Sequence, residues 1–314
     1  CPIIRIDTNQ GISGYGEVRD GASATYALIE ANELGWSDPL IVGMLVASAV
    51  LTVSFLLFER RSPKAMLPLR FFRIPAFSAG ATVAFSVSFG MFATFFFMSL
   101  YMQLIRGYSA FQAGVRFLPM TVLIILTAPN AGRYASKHGS RIPMTFGLLL
   151  AGTGLLLLSR ISIETPYLLM APVFAIMGIG IGATMAPMTA AVMNAVGPER
   201  AGLGSATTNS AREVGGVFGI ALLGTILTTR LNTVLAPALA PLGLAPATQA
   251  SIEATAGHGT LDPSQLAGLP VEQRGAVVAA FRESWMNGFR LSLLVAGLVL
   301  LIAAVVANRF IPGR

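Results

Sequence analysis

The chain has 314 residues, of which 54% are hydrophobic and only 11% charged, and its mean hydropathy is +0.71. Soluble domains carry roughly 25% charged residues, so this composition excludes an ordinary soluble domain, a disordered chain and a nucleic-acid binder. The formal net charge of +7 then has a topological explanation rather than a nucleic-acid partner.

Residues 1–21 are polar and unpatterned, and Ala22–Leu34 reads as a short helix. A membrane-spanning helix needs about 20 mostly apolar residues. Seven runs qualify: 40–58, 77–102, 117–135, 143–161, 167–194, 202–229 and 288–308. They show no sustained two-residue alternation, which argues against a barrel. Helices are then the way to satisfy backbone exposed to lipid. The expected fold is an all-α integral membrane protein with seven transmembrane helices. The single cysteine, Cys1, excludes a disulfide framework, and His138 and His258 lie too far apart for a metal motif. No cofactor or metal is expected. Lys64 and Lys137 are the only lysines among 21 basic residues, which fits a GC-rich bacterial genome.

The connections assign sides. Arg60, Arg61, Lys64, Arg70 and Arg73 follow the first span, Arg133, Lys137 and Arg141 the third, Arg200 the fifth, and Arg309 and Arg314 the last. These segments fall on one side, cytoplasmic by the positive-inside rule. The alternate loops hold Arg106, Arg116 and Arg160 against Glu164. Residues 230–288 form an outside segment whose Ala- and Pro-rich centre reads as loop and which turns helical from about 271. Phe281, Trp285 and Phe289 recur at i, i+4, i+8, as in an aromatic anchor at the outer interface. Arg116 reads as an anchor there too.

Two stretches resemble the major facilitator superfamily. Gly132-Arg-Tyr-Ala-Ser-Lys137-His-Gly139-Ser-Arg141 is similar to its cytoplasmic loop signature, G-x-x-x-D-R/K-x-G-R-R/K, at Gly132, Lys137, Gly139 and Arg141. It departs at Ser136 and Ser140, as in the second-half copy of this loop. Residues 198–225, PERAGLGSATTNSAREVGGVFGIALLGT, look like the penultimate span of the 14-span drug:proton antiporter branch. LGWSDP at 34–39, the ERR…PLRFFR loop, GVRFLP at 114–119 and the long outside loop fit that branch as well. The resemblance covers about 22–314. It makes 1–39 an unmatched tail with the remnant of a linker helix, and 40–76 a linker span with a basic cytoplasmic loop. Residues 77–314 become the C-terminal six-helix bundle, with 230–288 as its outside loop. The N-terminal six-helix bundle is the expected missing partner, and a start-site or reading-frame artefact would explain its absence.

The resemblance implies proton-coupled efflux of small amphiphilic or cationic compounds across a bacterial inner membrane. The partners are a small-molecule substrate, protons and membrane lipid. An exporter of a dedicated natural product and a non-transporting remnant are the alternatives. A membrane-embedded enzyme would need His, Asp or Glu clustered in or beside the spans, and the sequence holds no such cluster.

Charges inside a bilayer are costly and face a cavity or a partner. Arg212 and Glu213 lie about ten residues into the sixth span, roughly 15 Å along it. Asn209 and Glu213 share a face with Gly202, Ala206 and Gly216, while Arg212 shares another with Ser205, Thr208, Gly215 and Gly219. Glu213, with Arg212 and Asn209, is a candidate for proton and substrate coupling; the competing reading is an Arg/Glu lock to a neighbouring helix. In the second span Phe85, Phe89, Phe92 and Phe96 form one stripe, and Met91, Phe95, Met98 and Met102 its neighbour. Phe92, Phe96 and Met98 are candidates for a drug cavity, with packing or lipid contact as the alternative; Gln103 and Asn130 are weaker candidates. Gly178 and Gly182, like Gly215 and Gly219, have small-xxx-small spacing for close helix packing. Pro129 and Pro187 are candidate bend points. In the loop motif, Gly132 and Gly139 permit a tight turn, and Lys137 and Arg141 meet phospholipid or acidic helix ends, unless they serve topology alone.

Overall fold

The computed structural model describes residues 3–7, 13–17, 38–61, 69–256, 261 and 266–313. Lys64, His258 and the helix expected over Ala22–Leu34 lie outside the described residues. The chain divides into two compact units, Cys1–Pro68 and Leu69–Arg314.

In the first unit, β1 (Ile3–Asp7) pairs antiparallel with β2 (Ser13–Glu17), Arg5 opposite Tyr15. This ladder lies in the stretch read as unpatterned; the β-branched Ile3, Ile4 and Ile6 favour the extended backbone. The helix α1 (Pro39–Arg61) starts where the Asp38 carboxylate accepts the Leu40 N–H at 2.8 Å. Val46, Val50, Leu51, Phe55 and Phe58 are all exposed on it. A helix apolar all round is suited to lipid rather than to water.

The second unit is a helical bundle. After a 3-10 turn (Leu69–Arg73) come α2 (Pro75–Leu100), a π turn (Tyr101–Ile105), α3 (Ala110–Arg116), α4 (Leu118–His138), α5 (Arg141–Leu158) and α6 (Tyr167–Val196). A second 3-10 turn (Pro198–Arg200) leads to α7 (Ala201–Leu239), followed by α8 (Pro246–Ala256) and α9 (Val271–Phe310). Among the described residues seven helices, α1 included, are long and apolar enough to cross a membrane, in the order of the seven runs. α4 and α6 remain helical through Pro129 and Pro187.

The main packing partners are α2 with α7, α4 with α6, α5 with α6 and α9 with both α5 and α7. Glycine makes these seams. A Cβ at Gly215 or Gly219 would overlap the carbonyl oxygens of Phe85 and Phe89 on α2. Gly178 and Gly182 stand in the same relation to Met120 and Ile124 on α4. Each pair thus seats two successive turns on a neighbour's backbone, which fulfils the small-xxx-small reading. Gly152 and Gly297 do this reciprocally between α5 and α9. Lipid tails are as apolar as leucine, so close approach and dispersion hold the spans together rather than the hydrophobic effect.

The 230–288 segment differs from the loop expected. α7 continues to Leu239, and α8 and the first turns of α9 occupy most of the remainder. Leu223, Leu227, Leu231, Leu235 and Leu239 form one fully buried stripe along α7. Trp285 is likewise not an exposed interfacial anchor. It is completely buried, stacked on Phe289 at 5.1 Å, and Phe289 stacks on Tyr101 at 5.5 Å. Its register along α9 matches the leucine stripe of α7, so the packed seam claims it.

Candidate functional site

α7 begins at Ala201, so Glu213 lies roughly 18 Å along its axis. Asn209 and Glu213 are exposed on one face of α7, and Arg212 is half-exposed beside it. Among the described residues neither Arg212 nor Glu213 has a hydrogen bond or ion pair. Within the described residues, then, neither forms the bridge that a lock to another helix requires.

The glycine seam brings α2 onto this face. Phe92 is 43% exposed, and its ring lies 3.0 Å from where a Cβ of Gly216 would sit. Gly216 follows Glu213 by one turn. Phe96, one turn further along α2, is exposed as well. The Phe92 ring thus packs on α7 one turn beyond Glu213, while Phe96 lies further along the pair, since the seam sets Phe89 level with Gly219. A carboxylate on this face is available to a cation, and the Phe92 ring offers apolar and cation–π contact.

The other sequence candidates lie elsewhere. Met98 is fully buried in the bundle core, with Met102, so it does not line that surface. The reason is angular: the Met91–Phe95–Met98–Met102 stripe turns toward the other helices while Phe92 and Phe96 turn outward. Gln103 sits in the π turn and donates to the Ser99 hydroxyl at 2.8 Å. Asn130 is exposed on α4, which packs chiefly on α6, and its amide donates to the Leu126 carbonyl at 2.9 Å.

In the loop motif, Gly132 lies inside α4 and not in the turn expected of it; a Cβ there would touch Ala186 at 3.3 Å, so it seats α4 on α6. Gly139 has φ of 90° and ends α4 with its N–H on the Ala135 carbonyl. Arg141 donates to the Asn308 side chain at 3.1 Å, beside the C-terminus of α9, where a cation is favoured. Lys137 is exposed.

Sequence reasoning missed a cluster at the opposite end of the bundle. Arg106 donates to the Ile163 carbonyl and to the Tyr108 hydroxyl. The Arg116 guanidinium lies 3.8 Å from the Tyr108 ring centroid and 5.4 Å from that of Tyr167. Tyr167 donates in turn to the Arg116 carbonyl. Arg116 is thus a clasp between loops rather than a lone anchor. The hydrogen bond from Arg106, aided by the charges of Arg106 and Arg116, holds the Tyr108 phenol below its ordinary value. Part of this was readable: Ser109 and Gln112 form a reciprocal capping box that starts α3.

The sequence profile of the Major Facilitator Superfamily matches residues 21–220. The tetracenomycin C resistance and export protein of Streptomyces glaucescens is 30% identical over 285 residues, covering 90% of this chain and 53% of that protein. The multidrug resistance protein Stp of Mycobacterium tuberculosis is 28% identical over 292 residues, covering 91% and 54%. The chain thus spans about half the length of these curated relatives. Among solved structures, a bacterial homolog of the human lysosomal transporter Spinster, in an inward-facing conformation, superimposes with a TM-score of 0.52 at 16% identity. It covers 92% of this chain and 66% of its own, which is a likeness of fold.

Proposed function

As the chain belongs to the major facilitator superfamily and is a multi-pass membrane protein, we propose that it is the C-terminal half of a proton-coupled exporter of small amphiphilic or cationic compounds. Its partner is a second, N-terminal six-helix bundle. The observation that supports this reading is the exposed face of α7 that carries Asn209 and Glu213, one turn before Gly216, where the Phe92 ring of α2 packs. Transporters of this kind hold substrate between two bundles at mid-membrane and rock to expose it alternately. The second bundle covers this face. Proton and substrate then compete for Glu213, and that competition couples proton entry to substrate exit. Phe92 and Phe96 supply the apolar and cation–π contacts. The basic ends of the spans face the cytoplasm. The relatives named for tetracenomycin C, methylenomycin A and puromycin resistance favour a second reading, in which the substrate is one dedicated natural product.

The test uses this chain joined to the N-terminal bundle of a relative, in vesicles with an imposed proton gradient. Glu213→Gln keeps shape and hydrogen bonding but cannot titrate. It is expected to fold normally, to lose most efflux of a cationic dye, and to lose less efflux of a neutral one. Undiminished efflux of every substrate across about pH 5 to 8 would reject the role. The 314-residue chain alone is expected not to transport.

A further inference from the structure

At the basic end of the bundle, two arginines from distant segments converge on one ring. Arg70 lies on the 3-10 turn that leads into α2, and Arg200 closes the turn between α6 and α7. Their guanidinium carbons stand 5.6 and 5.3 Å from the Phe71 centroid. The platform is fixed: Phe71 is buried and packs with Phe77 and Val192. Gly80 has no room for a Cβ against Val192, so α2 and α6 close tightly just behind it.

Two cations held on one ring repel each other, and the ring quadrupole offsets only part of that cost. Among the described residues neither guanidinium is paired with a carboxylate or a carbonyl. Glu199 sits next to Arg200 but is exposed and, among the described residues, joins no ion pair. Both guanidinium forks thus have N–H groups that no described residue accepts, and a planar fork suits phosphate oxygens. Depth selects the source of that phosphate. The site lies where three candidate spans begin or end, and Phe72, between Arg70 and Arg73, is 43% exposed. Cations beside an exposed aromatic ring at a span terminus match a headgroup above its acyl chains.

We propose that Arg70 and Arg200 bind the phosphate of an anionic phospholipid, with Phe71 as the platform for both guanidiniums and Phe72 against the acyl chain. The lipid then bridges the entry of α2 and the α6–α7 turn. The proposal does not depend on the transport reading.

The experiment measures retention of fluorescent phosphatidylglycerol by the purified 314-residue chain in detergent micelles, with phosphatidylcholine as the comparison lipid. Wild type is expected to prefer phosphatidylglycerol. R70Q/R200Q should weaken that binding roughly tenfold, while R133Q/R309Q, which removes two arginines from the same end, should change it less than twofold. Equal losses in the two double variants mean a diffuse positive surface and overturn the proposal. So does displacement of the lipid by inorganic phosphate at matched ionic strength, which marks a free-anion site. If R70Q/R200Q does not fold, R70K/R200K takes its place, keeping charge but losing the forks. Weakened retention supports the site and unchanged retention rejects it.

Discussion

The two ends of the bundle differ in how many of their arginines are tied to carbonyls. At the end that holds Tyr108, Arg106, Arg116, Arg274 and Arg290 each donate to a main-chain carbonyl, of Ile163, Gln112, Leu269 and Ile161 respectively. At the other end, among the described residues of the bundle, Arg70, Arg73, Arg133, Lys137, Arg200 and Arg309 donate to no protein acceptor, and only Arg141 reaches a side chain. Four arginines are clasps on one side, where among the described residues Arg160 and Arg282 donate to no protein acceptor, and on the other side free charges prevail. A charge that sets topology must stay available to water and lipid, whereas one that closes a loop saturates carbonyls that no helix supplies.

That contrast breaks most visibly if the clasps are cut. R106Q/R290Q should lower the melting temperature in detergent by roughly 5 °C or more, because each change strips a charged donor from a loop carbonyl. R133Q/R309Q should leave it within about 1 °C. Similar shifts in both would erase the distinction. A sharper reading comes from sidedness. With Cys1 replaced by serine, a cysteine at Lys137 should react with an impermeant reagent only after cells are opened, and one at Ala250 on α8 should react in intact cells. Labelling of position 137 in intact cells would reverse the assignment.

The smallest expected effect is spectroscopic. Tyr108 should ionise below the ordinary tyrosine value of 10.0, seen as phenolate absorbance on alkaline titration, and R106Q should move it back up. A depressed value adds stability only above the unfolded pKa and loses it as pH falls through the folded one. This group should therefore contribute no pH dependence to melting between about pH 6 and 8.

What the sequence makes legible follows from the physics of each signal. Span number and order are readable because a bilayer demands length and apolarity from every crossing segment. The glycine seams are readable because backbone approach demands the absence of a Cβ. Which stripe of α2 faces inward is not readable: Met98 and Phe96 are equally apolar, and lipid accepts what a core accepts. Their separation needs the neighbouring helices. The meeting of Phe92 with the Glu213 face is illegible for the same reason, since it depends on how α2 seats on Gly215 and Gly219. The extension of α7 was legible in principle. Leu231, Leu235 and Leu239 continue the four-residue spacing of Leu223 and Leu227, but the Ala and Pro content around them reads as loop.

α7 and α9, of 39 and 40 residues, are each close to 60 Å long, about twice the thickness of the hydrocarbon layer. The buried seam of leucines on one and Val277, Phe281 and Trp285 on the other continues the packing over the length that exceeds a bilayer's thickness. The pair is therefore a lever arm. A rotation of roughly 10° about the Ala201–Phe310 end carries the opposite tip through about 10 Å. Motion too slight to resolve between packed spans becomes a displacement that a pair of spectroscopic labels at the tip can measure.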